Sequence, residues 1–367
     1  MKRVGGLFER IHDRATLGHA VWRAAAGKRD RSEVRAFLSD FDRQAGMLSR
    51  TLADGSFRFE GYRSFPIRDP KSRIIRAPSF RDRVVHHAIL AVAGPVLERG
   101  ALPTSFACRA GLGQDAALRA ARQAVAGAEW FLGLDVHKYY DSIPHDLLLR
   151  ALERRFRERR LLVLFQTLLD SYQTVAGHGL PIGALTSQFL GNFYLDAVDR
   201  RVTGAVRGVT YLRYMDDILI GGDRRALVAC RQRITTALCG LGLSLNGDGV
   251  MNRSVVGAPW LGFVIYPDRL RLNRRGRRRL CRRVRALERG YRQGMIPEPE
   301  LQRRGLALFA HARRGDDIAW RRVVAAKGCG ADSPGEVQGP QPRDPRRGVE
   351  QHRREVPVGL PQQEQAR

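Results

Sequence analysis

Apolar residues along this chain follow two rhythms, and each predicts a different kind of element. Short continuous runs occur at Phe131-Leu-Gly-Leu134, ahead of Asp135, and on both sides of Asp216-Asp217 within Tyr211–Gly222. Runs of that length predict strands, with the two aspartates where one strand turns into the next. A further strand is predicted over Leu241–Asn246, and the turn residues Asp69-Pro-Lys-Ser72 separate two extended segments that begin near Phe65. Elsewhere the spacing is helical. Val34, Phe37, Leu38 and Phe41 mark a helix-rich, charged region over residues 1–56, and Leu280, Val284 and Leu287 mark another helix. Helices are also predicted over 83–97, 114–126, 146–169, 223–241 and 296–325, and after the glycine-bearing stretch 177–183. The longest apolar run, Ala88–Leu97, reads as a buried helix face. It falls short of the roughly 18 residues that a membrane span needs, and no signal peptide is expected, so the chain reads as cytoplasmic.

Adjacent aspartates repel each other and are poor strand formers, so a hairpin tip carrying Asp216-Asp217 costs stability unless a cation neutralises it. A bare Asp-Asp pair is most often a polar turn, and the flanking sequence changes that weighting. Asp135 closes its own apolar run and supplies a third carboxylate. Two strands that bring Asp135 and Asp216 side by side make an oxygen-rich cage suited to Mg²⁺, with room for substrate phosphates. Two such ions clamp the attacking and leaving oxygens of a phosphoryl transfer.

Tyr214-Met-Asp-Asp217, with Asp135 followed at the fifth position by Tyr140, resembles the palm signature of the reverse transcriptases; the resemblance runs from about Phe65 to Phe263. It implies a mixed α/β (α+β) right-hand polymerase with fingers, an antiparallel palm sheet bearing the catalytic carboxylates, and a helical thumb. The expected division is a helical lead-in over 1–56, fingers and palm over 57–268, an arginine-rich thumb over 269–326 and a disordered tail over 327–367. Asp135, Asp216 and Asp217 are then catalytic and hold two Mg²⁺ ions together with Val136. Tyr140 is the steric gate against ribonucleotides, and Lys71, Arg73, Ile182, Gly183 and Gln188 surround the nucleotide. Arg76, Arg109, the primer-grip residues Trp260 and Gly262, and thumb residues Arg274, Arg275, Arg278 and Arg282 face nucleic acid.

Composition agrees with a polyanion partner. The 367 residues carry a formal charge of +27 and a pI near 11.2, far beyond what solubility requires, although compositional bias of a genome also enriches arginine. The five cysteines form no Cys-x-x-Cys pair and have no histidine at zinc spacing, which favours reduced thiols. His86 and His87 are adjacent on a predicted helix and point apart, so one should pack or face the template while the other is exposed, neither with a catalytic role.

The stretch from Gly179 to Gln188 narrows the resemblance. Retroviral and group II intron enzymes have a glutamine where this chain has Ile182 and a proline where it has Gln188; Gly179-Leu-Pro-Ile-Gly-Ala-Leu-Thr-Ser-Gln188 resembles the diversity-generating retroelement group, which copies template RNA unfaithfully at adenines. The resemblance implies a template RNA, an RNA/cDNA hybrid, dNTPs and a small basic helical accessory protein as partners. The lysine that follows the strand-ending Asn in this family is absent, since Asn246 precedes Gly247-Asp-Gly249. Over Pro345–Arg367 the codons, read one base onward, permit a segment resembling the variable region of such elements' targets, so the tail is expected to be a by-product of overlap. Retron-like, group II intron-like and phage-defence reverse transcriptases are the neighbouring alternatives, and a non-catalytic RNA-binding scaffold is the alternative from another class.

Overall fold

The computed structural model describes residues 2–68 and 72–327, so Lys71 and the expectations for the tail lie outside the described residues. Strands β1 (Tyr62–Arg68) and β2 (Ser72–Pro78) form a two-stranded antiparallel sheet. A second antiparallel sheet contains β3 (Trp130–Asp135), β4 (Thr210–Tyr214), β5 (Asp217–Gly222) and β6 (Val250–Arg253) in the order β4-β5-β3-β6. A third, small sheet orders β7 (Ala258–Trp260), β8 (Phe263–Ile265) and β9 (Leu270–Leu272).

The unbroken apolar runs follow from burial of both faces of the β4-β5-β3-β6 sheet, because a strand with a core on each side has no solvent face to leave polar. Leu132, Leu134, Tyr211, Ile218 and Ile220 point into one hydrophobic core. Phe131, Leu212 and Leu219 point into the other. The first core also takes Leu17 and Val21 from helix Arg14–Ala25, Val85, Ile89 and Val92 from helix Phe80–Glu98, and Leu190 and Leu195 from helix Leu185–Thr203. Residues 1–56 are therefore built into the same core as the sheet. Val34 and Phe37 are buried as their spacing predicts, while Leu38 is exposed, because the chain breaks at Asp40 between helices Ser32–Ser39 and Phe41–Ala53.

Three expectations are corrected. The 146–169 region is two helices, His145–Glu153 and Arg159–Asp170. Between them the backbone is taken up by the chain's start: Val4 N donates to Arg155 O, and Arg157 N donates to Val4 O, both at 2.9 Å. Leu241–Asn246 is not a strand but an irregular return with one bridge, Leu245 to Val136, and the fourth strand of the sheet is β6 further on. Gly249 makes that shift feasible: its φ is +74°, and a Cβ there would lie 2.5 Å from Gly133 O. The boundary expected at residue 268 falls inside the small sheet, since Leu270–Leu272 pairs with Phe263–Ile265. No helix among the described residues is long and apolar enough to cross a membrane.

Candidate active site

Register brings the carboxylates to one end of the palm sheet. Asp135, the last residue of β3, pairs with Asp217, the first of β5, and Asp217 pairs with Tyr214 across the turn made by Met215 and Asp216. Met215 takes a φ of 57°, a left-handed conformation that a two-residue hairpin demands of its first turn residue. Asp135 also accepts from the irregular return: Asn246 Nδ2 donates to its Oδ2 at 3.0 Å, and Asn246 N donates to its main-chain oxygen at 2.8 Å. Successive carbonyls of an extended chain point to opposite sides, so the carbonyl of Val136 faces away from Asn246, towards the β5 side that bears Asp216.

The backbone juxtaposes these groups, but their side chains do not close into a cage. Among the described residues no three His, Cys, Asp or Glu side chains converge on one point. Closing like-charged carboxylates around a point costs energy that a divalent cation offsets. The donors that share this end of the sheet are carboxylate and carbonyl oxygens, a hard set that fits Mg²⁺ or Mn²⁺ and not a soft metal.

Tyr140 stands beside this end. Lys138, with φ 39°, turns the chain after β3, and Tyr139 is buried with its hydroxyl donating to Gly191 O at 2.5 Å. The Tyr140 ring lies 5.5 Å from that of Tyr139, and a Cβ on Gly191 would sit 3.5 Å from it, so the small residue leaves room for the ring. Burial, with Cys108 and Asp216 adding to it, raises the Tyr140 hydroxyl above its ordinary pKa and keeps it neutral. Cys108, at φ 55°, points its thiol at Gln188, donating to Oε1 at 3.4 Å. Gln188 thus borders the same region.

At Gly183 the protein's own hairpin makes a close approach. Its φ is +117°, and a Cβ would lie 2.7 Å from Ile75 Cγ2 and 3.0 Å from Arg76 O. Ile182 is half-buried, and its carbonyl accepts from Arg76 N at 2.7 Å, docking β2 against the start of helix Leu185–Thr203. Arg73 and Arg76 lie three residues apart in β2 and project from opposite faces. Arg73 is exposed on the face of Ile75, whereas Arg76 bonds Ser64 and stacks over Tyr172, 5.7 Å from the ring centre.

The expected nucleic-acid contacts divide into exposed and internal groups. Arg109 is internal to its loop, with NH1 donating to Leu102 O at 2.6 Å and Ser105 O at 2.8 Å. Trp260 is 5% exposed and packs in the second core, so its ring is a core element and not a contact surface. Gly262 is exposed at the β7–β8 turn, which Gln114 holds by donating to Leu261 O at 2.9 Å. Arg274, Arg275, Arg278 and Arg282 are all exposed on helix Arg274–Arg292, and the i, i+4, i+8 set of Arg274, Arg278 and Arg282 lies opposite buried Leu280 and Val284. Asp317 fixes that helix at its base, accepting from Arg277 at 2.7 Å and from Leu272 N at 3.0 Å.

Two features escaped the sequence reading. Arg213, within the apolar run before the aspartates, is wholly buried against Asp199. Asn192, Asp196 and Asp199 are spaced i, i+4, i+7, a polar stripe on an otherwise buried helix that signals an internal partner. The second is a mainly cationic cluster where the first helices meet Phe80–Glu98: Arg83 feels Glu33, Arg31 and Arg63, and burial followed by Arg83 and Arg31 lowers the pKa of Lys28. His87 belongs to that cluster and is half-buried; His86 is fully buried, with its Nδ1 2.8 Å from Thr186 Oγ1.

The putative COX1/OXI3 intron 1 protein of Saccharomyces cerevisiae is 28% identical over 282 residues, which cover 59% of this chain and 34% of that protein. Protein YkfC of Escherichia coli is 25% identical over 228 residues, covering 50% and 60%. The group II intron-encoded protein LtrA of Lactococcus lactis is 23% identical over 166 residues, covering 42% and 27%. The chain thus spans less than two thirds of the length of each. A telomerase structure from Candida albicans, solved with a fragment of telomeric RNA, aligns at a TM-score of 0.43 and 12% identity over 60% of this chain and 46% of that one. The family described as reverse transcriptase (RNA-dependent DNA polymerase) matches residues 67–264, more than half of the sequence, from the end of β1 into β8, a span that includes the three aspartates. This chain belongs to the reverse transcriptase family.

Proposed function

We propose that this chain is an RNA-directed DNA polymerase that extends a primer on a template RNA with dNTPs. The observation that carries the reading is the register pairing of Asp135 with Asp217, which sets Asp216 in the adjoining turn and Tyr140 beside it. Asp135, Asp216, Asp217 and the Val136 carbonyl are the residues that hold Mg²⁺, two ions in the full reaction, and the metal supplies charge stabilisation at the transferring phosphate. Arg73 meets the incoming triphosphate, and the exposed stripe of Arg274, Arg278 and Arg282 grips the phosphates of the RNA/cDNA hybrid without reading bases. Primer extension on a defined RNA template tests it: Asp216→Asn should lose the chemical step by roughly a thousandfold or more with RNA affinity kept, and near-normal extension by that variant would sink the assignment.

Within that activity, the polymerase is error-prone at template adenines and serves a diversity-generating retroelement, aided by a small basic helical protein. Ile182 supports this: its side chain is apolar and its carbonyl is taken by Arg76, so the position offers no side-chain hydrogen bond with which to discriminate a base pair. Ile182→Gln should lower misincorporation opposite adenine, and the neighbouring DNA should hold a near-repeat of the gene's 3′ end that differs at adenines. The names of the relatives favour a second reading, a group II intron-like reverse transcriptase. Faithful copying of adenines together with no such repeat selects that second reading.

A further inference from the structure

We infer that Arg213 is a positioning residue for nucleotidyl transfer: it ties the Met215–Asp216 turn to the helix that borders the nucleotide pocket. The inference deepens the polymerase reading and rests on it.

Arg213 is 0% exposed in β4, two residues before the turn. Its guanidinium is shared among partners on two elements. Nε donates to Asp199 Oδ1 at 2.7 Å and NH2 to Asp199 Oδ2 at 2.6 Å, a bidentate pair. NH1 donates to Asn192 Oδ1 at 3.1 Å and to the Met215 carbonyl at 3.2 Å. NH2 also reaches Asn192 O and Asp196 Oδ1, each at 3.4 Å. Tyr211 completes the cluster by donating to Asp199 Oδ1 at 2.7 Å, and Asn192 is itself fixed by donating to Ala107 O at 2.6 Å.

Stability alone does not account for this arrangement, because a buried ion pair often gains little over well-packed apolar residues. The neighbouring positions of β4, Tyr211 and Leu212, show that the strand accommodates large apolar groups on both faces. What the guanidinium adds is direction. Its planar fork holds Asp199 on one side while NH1 holds the carbonyl of Met215, the residue that is already left-handed, so the conformation of the turn is referenced to helix Leu185–Thr203. That helix carries Gln188 near its start, one turn before Asn192, and Gly191, next to Asn192, under the Tyr140 ring. The turn that bears Asp216 is thereby held in register with that helix through the Arg213 contact to the Met215 carbonyl.

The test uses the full chain and two variants. Arg213→Lys keeps a charge beside Asp199 but cannot hold Asp199 bidentately and Met215 at once; Asn192→Ala keeps the Arg213–Asp199 pair and loosens NH1. Three quantities are read for each folded variant after normalising to active sites: the Mg²⁺ concentration for half-maximal extension, the split between kcat and KM for dNTP, and Mn²⁺ binding without nucleotide by electron paramagnetic resonance. Arg213→Lys should raise the Mg²⁺ requirement several-fold, weaken Mn²⁺ binding in parallel and lower kcat by roughly tenfold, with KM and RNA affinity within about twofold of wild type; Asn192→Ala should show the same pattern more weakly. A purely structural cluster predicts a lower Tm with unchanged metal dependence, and that result in either folded variant overturns the inference, as does failure of both variants to fold. A wild-type chain that extends no primer overturns the polymerase reading as well, whereas an active wild type with metal-insensitive variants overturns this inference alone.

Discussion

Asn246 holds Asp135 at two points, through a side-chain bond of 3.0 Å to Oδ2 and a main-chain bond of 2.8 Å to the carbonyl oxygen. The pair joins the irregular return after helix Arg224–Cys239 to the end of β3, so the residue that precedes Gly247-Asp-Gly249 orients a candidate metal ligand. Because the side-chain bond is exposed, its net worth is about 0.5–1.5 kcal/mol. Asn246→Ala should slow single-turnover extension by roughly three- to tenfold with little change in Tm. An unchanged rate would assign Asn246 to the backbone alone.

A second prediction concerns the sugar. The Tyr140 ring packs tilted against Tyr139 and is bordered by Gly191, and burial keeps its hydroxyl neutral, so it presents a rigid, uncharged wall near Asp216. Tyr140→Ala should open space for a 2′-OH, and ribonucleotide incorporation, measured as the ratio of kcat/KM for rNTP and dNTP, should rise by tenfold or more. If the ratio stays where it was, the ring is a packing group.

Much of this site was legible in the residues. Apolar runs ending at Asp135 and flanking Asp216-Asp217 became β3, β4 and β5, and the register set the aspartates side by side, because strands buried on both faces leave a continuous signature. The path after Leu241 was not legible, because Gly247 and Gly249 let the chain turn back in a left-handed conformation that periodicity does not encode. Arg213 was hidden for a related reason: a cation inside an apolar run looks like a strand end, and only its partners on helix Leu185–Thr203 show it to be internal. Trp260 and Arg109 carried the right residue types for nucleic-acid contact, yet one is core and the other ties its own loop.

The third prediction follows from Gly183, which lets the β1–β2 hairpin dock through Arg76 N to Ile182 O. A methyl group there would meet Ile75 Cγ2 at 2.7 Å and would force a side chain into φ +117°. Strain of that kind costs about 1–3 kcal/mol, and the hairpin can relieve it by moving away. Gly183→Ala should therefore raise KM for dNTP by several-fold while leaving binding of the RNA/DNA hybrid, which the proposed function gives to the arginine helix, nearly unchanged. An equal loss of both would indicate general unfolding.

The last prediction uses the acid beside Arg213. Asp196 is 2% exposed, and burial pushes its carboxyl up to about 6, with Arg213 opposing that shift and Asp199 reinforcing it. The folded chain thus holds this proton more tightly than the unfolded chain, whose carboxyl titrates near its ordinary value of about 4. The stabilisation from this group is fully present below pH of about 4 and is lost as pH rises through about 6, a change on the order of 2 kcal/mol. Asp196→Asn keeps an oxygen for Arg213 NH2 and removes the titration. In thermal melts from pH 4 to pH 8, the variant should gain stability relative to wild type as pH climbs and hold that gain above pH of about 6.5. Parallel Tm profiles for the two proteins across that range would show that the buried carboxyl does not titrate there, and would leave Asp196 ionised beside the guanidinium at every pH tested.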